Sequence, residues 1–141
     1  MFKGVFEHSL DDKNRIRIPS KFKKELVGEH GEKGYSFFRG MNNTICVMSN
    51  DLLDEKLKWI AEEGISKSSE GSMLLFSSIF EAEEDAQGRV VLPSALRRMA
   101  GIQKDIVTFG RGTRLEIWPA ERYYKHLEST DYDKALKELG I

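Results

Sequence analysis

The chain has 141 residues, a formal net charge of −1 and a hydrophobic content of 40%. This content is typical of a globular fold of one domain or two very small ones, and it excludes broad disorder. The near-neutral charge argues against indiscriminate nucleic-acid binding. The single cysteine, Cys46, excludes an intrachain disulfide and fits a reducing cytosol. Because the sequence has neither a run of ~18 apolar residues nor a signal peptide, we expect a cytoplasmic protein without a membrane span.

The first half of the chain predicts a β-rich unit. Apolar and polar residues alternate at 2–10 and at 15–18, which predicts two strands joined by a polar turn. Pro19 closes the second strand, and Ser20 is expected to be the N-cap of the helix that follows, as is Ser94 after Pro93 in the second half. The elements predicted in this half are strands at 2–10, 15–18, 35–38 and 45–48 and helices at 20–27 and 50–63.

The second half predicts the same order of elements. Its apolar run at 73–76 is expected to lead into the first strand, and Gly101 is expected to end the first helix. The other elements are predicted as strands at 106–109 and 114–118 and helices at 94–100, 119–128 and 131–139. The last of these helices is amphipathic and is not part of the order of elements that the two halves share.

One motif occurs twice, at residues 11–24 and 85–98, without a gap. The shared residues are Asp11, Arg15, Pro19 and Ser20 in the first copy and Asp85, Arg89, Pro93 and Ser94 in the second. Asn14 and Gly88 occupy the same place in the turn. Both residue types tolerate positive φ, so the turn is expected to need a left-handed residue there. An internal repeat of this kind predicts two copies of one small unit.

We therefore predict an α+β fold, mainly β, in which two repeated β units pack together with short flanking helices. A unit of ~60 residues buries only ~60% of its unfolded surface, so the halves are expected to pack on each other, on other subunits or both. The predicted divisions are a first module at 1–63, a linker at 64–74, a second module at 75–130 and a C-terminal helix at 131–141.

The charged side chains at 13–24 are all basic, whereas acidic residues collect elsewhere. The basic residues are Lys13, Arg15, Arg17, Lys21, Lys23 and Lys24. Acidic residues are concentrated at 62–63, at 81–85 and after 128. This distribution predicts one positive face on an otherwise acidic body, although Lys23 and Lys24 also fit an ordinary solvated helix face.

The opening M-F-K-G-V-F-E-H-S-L-D-D-K-N-R-I-R-I-P and the two D-x-x-x-R…P motifs resemble the MraZ family over nearly the whole chain. Each half resembles the swapped-hairpin DNA-binding module of AbrB-type regulators and MazE-type antitoxins. Asn14 replaces the glycine more usual in the first turn. The resemblance implies a bacterial transcriptional regulator, expected to be a repressor, of the cytoplasm and nucleoid. It further implies a ring-shaped homo-oligomer that binds double-stranded DNA at promoter repeats upstream of its own division and cell-wall gene cluster.

The resemblance places the DNA-facing motif at the two turns. The residues expected at the DNA are Lys13, Asn14, Arg15, Arg17 and Arg89, and those expected to shape the turns are Asp11, Asp85 and Gly88. Arg15 is expected to bond guanine O6 and N7, Lys13 and Arg17 to neutralise phosphates, and Asn14 to bond a base edge or a phosphate. Asp11 is expected to orient the arginine or to close the turn. The second copy has uncharged residues in place of Lys13 and Arg17, so it is expected to assist or mainly to build the assembly.

Other interpretations stay open at this point. The Asp/Arg pair is also explained as a salt bridge that only stabilises the turn. An antitoxin-like module that neutralises a partner protein also fits, as does a nucleoid scaffold without sequence preference. No phosphate loop or nucleophile with its base is visible, and His8, His30 and His126 lack metal-ligand spacing. We therefore expect no enzyme activity, cofactor, metal or small-molecule substrate.

Overall fold

The structure is a computed structural model that describes residues 1–64 and 69–141. The described strands are β1 (Val5–Ser9), β2 (Arg15–Ile16), β3 (Tyr35–Arg39), β4 (Ile45–Ser49), β5 (Phe80–Glu81), β6 (Val90–Val91), β7 (Asp105–Arg111) and β8 (Arg114–Pro119). The described helices are α1 (Ser20–Val27), α2 (Asn50–Trp59), α3 (Ser69–Ser77), α4 (Ser94–Ala100), α5 (Ala120–Ser129) and α6 (Tyr132–Glu138). A turn of π-helix, Ile60–Gly64, follows α2. The predicted α+β class is confirmed.

The larger sheet is antiparallel and has six strands in the order β1-β7-β8-β4-β3-β5, while β2 and β6 form a separate two-stranded ladder. Strand β1 pairs with β7, with Val5 opposite Phe109, and β5 pairs with β3, with Phe80 opposite Phe37. The first strand of each half is therefore hydrogen-bonded to the other half. Each half completes its part of the sheet with a strand from its counterpart.

The strand registers relate the two halves by an approximate two-fold rotation. In the two-stranded ladder, Ile16 lies opposite Val90, and these residues occupy the same position of the repeat. At the centre of the large sheet, Cys46 lies opposite Glu116, again at equivalent positions. Exchanging the halves leaves both registers unchanged, as in an isologous contact. The assignment of each half to the swapped-hairpin type stays a prediction.

The main core lies between the large sheet and a layer made by the β2–β6 ladder, α1 and α4. Helix α1 buries Phe22 and Leu26, and α4 buries Leu96 and Ala100. The strands and the segments next to them contribute Ile16, Ile18, Ile45, Val47, Val90, Leu92, Ile106, Leu115 and Ile117. Because both halves line this core, the burial of each half depends on its contact with the other.

A smaller apolar cluster lies on the opposite face of the sheet, beneath α2 and α3. Its buried members are Phe38, Cys46, Met48 and Leu53. Cys46 is only 4% exposed, as expected for a buried thiol. Burial, followed by the negative charge of Glu116, raises the pKa of Cys46 to about 11. The thiol is therefore protonated and unreactive at neutral pH.

The N-cap residues of both short helices differ from the prediction. Pro19 and Pro93 occupy the N-cap positions in an extended conformation, with ψ angles of 134° and 133°, and no side chain caps either helix. Ser20 and Ser94 are the first helical residues, so their predicted role as N-caps is wrong. The carbonyl of Pro19 already accepts the N–H of Phe22 at 2.9 Å. The rigid φ of proline favours this start.

The stretch between the two halves also differs from the prediction. The apolar run at 73–76 forms part of α3 instead of an approach to the next strand, since a short apolar run does not by itself distinguish a helix from a strand. Helix α2 ends at Trp59 rather than at residue 63, where the π-helical turn takes over. Residues 65–68 of the predicted linker lie outside the described residues. The division into modules stays a prediction.

Candidate nucleic-acid interface

One carboxylate closes the first Asp/Arg turn. Oδ1 of Asp11 accepts hydrogen bonds from the backbone N–H groups of Lys13 (2.9 Å) and Arg15 (2.8 Å), and Oδ2 accepts one from Nε of Arg15 (2.8 Å). The backbone N–H of Asn14 donates to the carbonyl of Asp11 at 3.0 Å. These bonds lower the pKa of Asp11, and the backbone N–H of Arg15 contributes most. Asp11 therefore both closes the turn and orients the arginine.

The second turn repeats this geometry bond for bond. Oδ1 of Asp85 accepts the backbone N–H groups of Gln87 and Arg89, both at 2.9 Å, and Oδ2 accepts Nε of Arg89 at 2.9 Å. The N–H of Gly88 donates to the carbonyl of Asp85 at 3.0 Å. The residues between the aspartate and the arginine differ in the two copies. The geometry therefore does not depend on the side chains that differ, and it is made by the aspartate and the arginine with a left-handed residue between them.

The left-handed position predicted in each turn is present, with φ angles of 59° at Asn14 and 76° at Gly88. Replacing Asn14 by alanine is expected to lower the free energy of unfolding by about 1–2 kcal/mol, because a Cβ-bearing residue other than asparagine or aspartate is strained there. Gly88→Ala is expected to behave similarly through backbone strain alone, since no atom lies within 4 Å of the added Cβ. Urea unfolding measures both changes. Asn14→Gly is the control, and a loss equal to that of Asn14→Ala would contradict this backbone explanation.

The two turns flank the β2–β6 ladder and contact each other. Nη1 of Arg15 lies 3.6 Å from Oδ2 of Asp85. Nε of Arg17 donates to the carbonyl oxygen of Gln87 at 3.1 Å, across 70 residues of sequence. The structure thus brings the predicted site residues of both copies into one surface. It adds Gln87, which no local pattern in the sequence indicates.

The cations of this surface differ in how freely they reach a ligand. The side chains of Arg15 and Arg89 are 20% and 29% exposed, and each is held by the aspartate of its own turn. Lys13 and Arg17 are exposed, and Asn14 is half-buried. Lys13 is therefore an adaptable charge, and Arg17 is an exposed cation whose Nε is held by the carbonyl of Gln87. The two turn arginines are preorganised donors.

The acidic stretch before the second turn is partly neutralised by the first half. Glu84 forms an ion pair with Lys23 of α1 and accepts a hydrogen bond from the Tyr35 hydroxyl at 2.6 Å. Burial, followed by this hydrogen bond, raises the pKa of Tyr35 well above its usual range. Lys23 is therefore engaged with Glu84 rather than freely solvated, and the pair reduces the negative charge next to the second turn.

Two other kinds of site are not found in the part of the chain that the structure describes. There, no group of three or more histidine, cysteine, aspartate or glutamate side chains is placed to hold a metal ion. Among the helices of residues 1–64 and 69–141, none has the length and apolar character needed to cross a bilayer.

The chain is similar to members of one family over its whole length. The family model described as "MraZ protein, putative antitoxin-like" matches residues 75–138. A "Transcriptional regulator MraZ" from Syntrophomonas wolfei is 37% identical over 100% of both chains. Proteins of the same name from Caldanaerobacter subterraneus and Saccharopolyspora erythraea are 38% and 33% identical, over 93% and 99% of this chain and 90% and 96% of theirs. The chain that carries these two Asp/Arg turns therefore belongs to the MraZ family.

Proposed function

We propose that this protein is a transcriptional regulator that binds double-stranded DNA sequence-specifically and represses its own division and cell-wall gene cluster from promoter repeats upstream of it. The names of its relatives support the regulatory role. The DNA-binding part rests on one observation, the pair of identical Asp/Arg turns that meet across the β2–β6 ladder. On this proposal the protein acts by binding rather than by catalysis, in the cytoplasm and on the nucleoid.

The way in which Asp11 holds Arg15 suits base recognition. Nε of Arg15 is bonded to the Asp11 carboxylate, which leaves the two terminal amino groups free to donate together to O6 and N7 of a guanine. Such a bidentate pair contributes about 1–3 kcal/mol of discrimination against a wrong base. The carboxylate of Asp85 lies on the Nη1 side of Arg15 and further restricts its guanidinium group in the DNA-free protein. A preorganised side chain loses less conformational entropy on binding.

The neighbouring residues make the other contacts with the DNA. Lys13 and Arg17 are exposed and neutralise phosphates, which fixes the position of the protein on the duplex without selecting a sequence. Asn14, beside them, bonds a base edge or a phosphate. In the second turn Arg89 is held as Arg15 is, but Gln87 stands where the first turn has Lys13. The first turn therefore makes the principal base-specific contacts, and the second turn adds contacts to the DNA from the same surface.

Assembly multiplies these contacts. One pair of turns presents few donors, so a single chain binds a single site weakly. In a homo-oligomer, and in particular in a closed ring, every contact between a turn and the DNA after the first is intramolecular. These contacts raise the overall affinity without any new type of interaction. This arrangement favours regularly spaced promoter repeats over one isolated site, with spacing near one helical turn so that the sites share a face of the DNA.

Fluorescence anisotropy tests the proposal with a duplex carrying the protein's own upstream sequence and a shuffled duplex of the same composition, across a salt series. We expect a strong preference for the native duplex, lost in Arg15→Ala because the guanine contact disappears. Arg89→Ala is the matched control, since it removes the equivalent arginine from the assisting turn and is expected to retain most of the preference.

The same titrations distinguish the competing functions. Equal affinity of the wild-type protein for both duplexes would overturn sequence recognition and favour a nucleoid scaffold. Absence of binding at physiological salt would favour an antitoxin-like module that acts on a partner protein, the role suggested by the description of the matching family model.

A further inference from the structure

Asp12 lies at the tip of the first turn, and the turn itself does not use its carboxylate. The backbone N–H of Asn14 donates to the carbonyl of Asp11, which leaves Asp12 and Lys13 as the two residues at the tip. The Asp12 side chain is exposed. Among the residues that the structure describes, its carboxylate accepts no hydrogen bond and forms no ion pair, whereas the carboxylate of Asp11 accepts three hydrogen bonds.

The second turn shows that the fold does not require an acid at this place. Ala86 stands where the first turn has Asp12, and it is exposed as well. The carboxylate of Asp85 nevertheless accepts the same set of hydrogen bonds, from the backbone of Gln87 and from the backbone and side chain of Arg89. The carboxylate of Asp12 is therefore available to a ligand and is not needed for the geometry of the turn.

Asp12 belongs to the surface that the proposed function places against DNA, where a carboxylate is unfavourable in most positions. Double-stranded DNA carries one negative charge per about 1.7 Å of helix axis. Like charges repel each other more strongly as water leaves the interface. A negative side chain at the tip of the turn therefore weakens binding to any duplex that offers it no hydrogen-bond donor.

The major groove presents a group that suits a carboxylate. The N4 amino group of cytosine donates there and is the usual partner of aspartate and glutamate. Adenine also presents an amino group, but its N7 acceptor lies beside that group and repels a carboxylate. Because Arg15 of the same turn bonds a guanine in the proposed function, a cytosine close to this guanine comes within reach of Asp12.

We propose that Asp12 determines part of the sequence specificity. It accepts a hydrogen bond from N4 of a cytosine in the major groove, and it repels duplexes that present no such donor at that position. Discrimination of this kind combines an attractive contact with the right sequence and a repulsive one with the wrong sequence. The inference rests on DNA recognition by the first turn, and it adds a second base to the guanine assigned to Arg15.

Asp12→Ala tests the proposal in anisotropy titrations with the native and the shuffled duplex. We expect tighter binding to the shuffled duplex and weaker binding to the native one, so that the ratio of the two affinities falls by about fivefold or more. The variant is expected to fold normally, because Ala86 occupies the same place in an intact turn, and its urea midpoint checks this. Asp54→Ala, at an exposed acid of α2, is the control and should keep the wild-type ratio.

A native duplex whose cytosines carry a methyl group on N4 tests the base contact directly. In a paired cytosine, one hydrogen of the amino group bonds to guanine and the other points into the major groove, where the methyl group replaces it. We expect this duplex to bind the wild-type protein about fivefold or more weakly than the unmodified one. Asp12→Ala is expected to bind the two duplexes equally.

The outcomes separate this inference from the function on which it rests. An unchanged affinity ratio in Asp12→Ala, or an equal penalty of N4 methylation for both proteins, would contradict the role of Asp12. In that case a preference for the native duplex that disappears in Arg15→Ala would still support the proposed function. Equal binding of the wild-type protein to the native and shuffled duplexes would contradict both.

Discussion

Replacing Lys13 and Arg17 together by alanine is expected to weaken binding to the native and the shuffled duplex by the same factor and to flatten the salt dependence of both. These side chains are exposed cations on the surface of the first turn. Each phosphate contact releases a counterion and contributes about 0.9 to the slope of log K against log salt concentration. The slope should therefore fall by roughly two for each chain engaged with the duplex. Anisotropy titrations at four or more salt concentrations measure it.

The internal repeat provides a matched control for this variant. Gln87 and Val91 occupy the positions of Lys13 and Arg17 in the second copy, and both are exposed. Replacing those two residues by alanine should leave the affinity and the salt slope unchanged, because no charge is removed. If the control pair lowered the slope as much as the lysine and arginine pair, the difference proposed between the turns would be wrong. The free energy of unfolding should stay within about 0.5 kcal/mol of wild type for the control pair. It should fall by about 0.5–1.5 kcal/mol for the lysine and arginine pair, because Arg17 loses its hydrogen bond to the carbonyl of Gln87.

Phe22→Ala is expected to lower the free energy of unfolding by about 3–5 kcal/mol, the usual cost of truncating a fully buried phenylalanine. The Phe22 ring is 2% exposed and packs edge-on against Phe2 and Phe6, with ring centroids 6.1 and 6.0 Å away. Because the core is shared by both halves, the loss should appear as one transition that includes the second half. Tryptophan fluorescence in urea measures it, in a Trp59→Phe background that leaves Trp118 of β8 as the reporter.

Leu96→Ala removes the equivalent α4 contact from the second half and should destabilise the same transition by about 2–5 kcal/mol. Leu127→Ala, at a side chain that is 51% exposed, serves as the control and should change little. A biphasic curve in which the Trp118 signal keeps its wild-type midpoint in Phe22→Ala would show that the halves unfold independently. The total protein concentration is held constant, since assembly would otherwise shift the midpoint.

Local features of this protein can be predicted where a residue type by itself sets the backbone geometry or the hydrogen bonds of its immediate neighbours. The aspartate and arginine of each turn are four residues apart, so the carboxylate reaches both the intervening backbone and the guanidinium. Helix α4 ends at Gly101, which adopts φ 72° as a left-handed C-cap, in agreement with the sequence prediction. Such interactions span only a few residues, and their geometry follows from the residue types.

Predictions fail at other places because the competing local options have similar energies. Serine is a favourable N-cap, but the preceding proline already has the required extended geometry, so the N-cap of each short helix lies one residue earlier than predicted. The apolar run at 73–76 has no clear period, and its helical form in α3 follows from packing of Leu75 against the smaller cluster. In both cases the outcome depended on contacts or geometry that a pattern of residue types does not contain.

The sequence by itself determined the two turns, their left-handed residues, most of the strands and helices, and the family. Only the tertiary structure decided how the copies combine. It pairs β1 with β7 and β5 with β3, and it brings Arg15 against Asp85 and Arg17 against Gln87. The physical reason is separation along the chain. Turn geometry arises from bonds between residues two to four positions apart, whereas these pairings join residues from different halves, and burial of the shared core selects them.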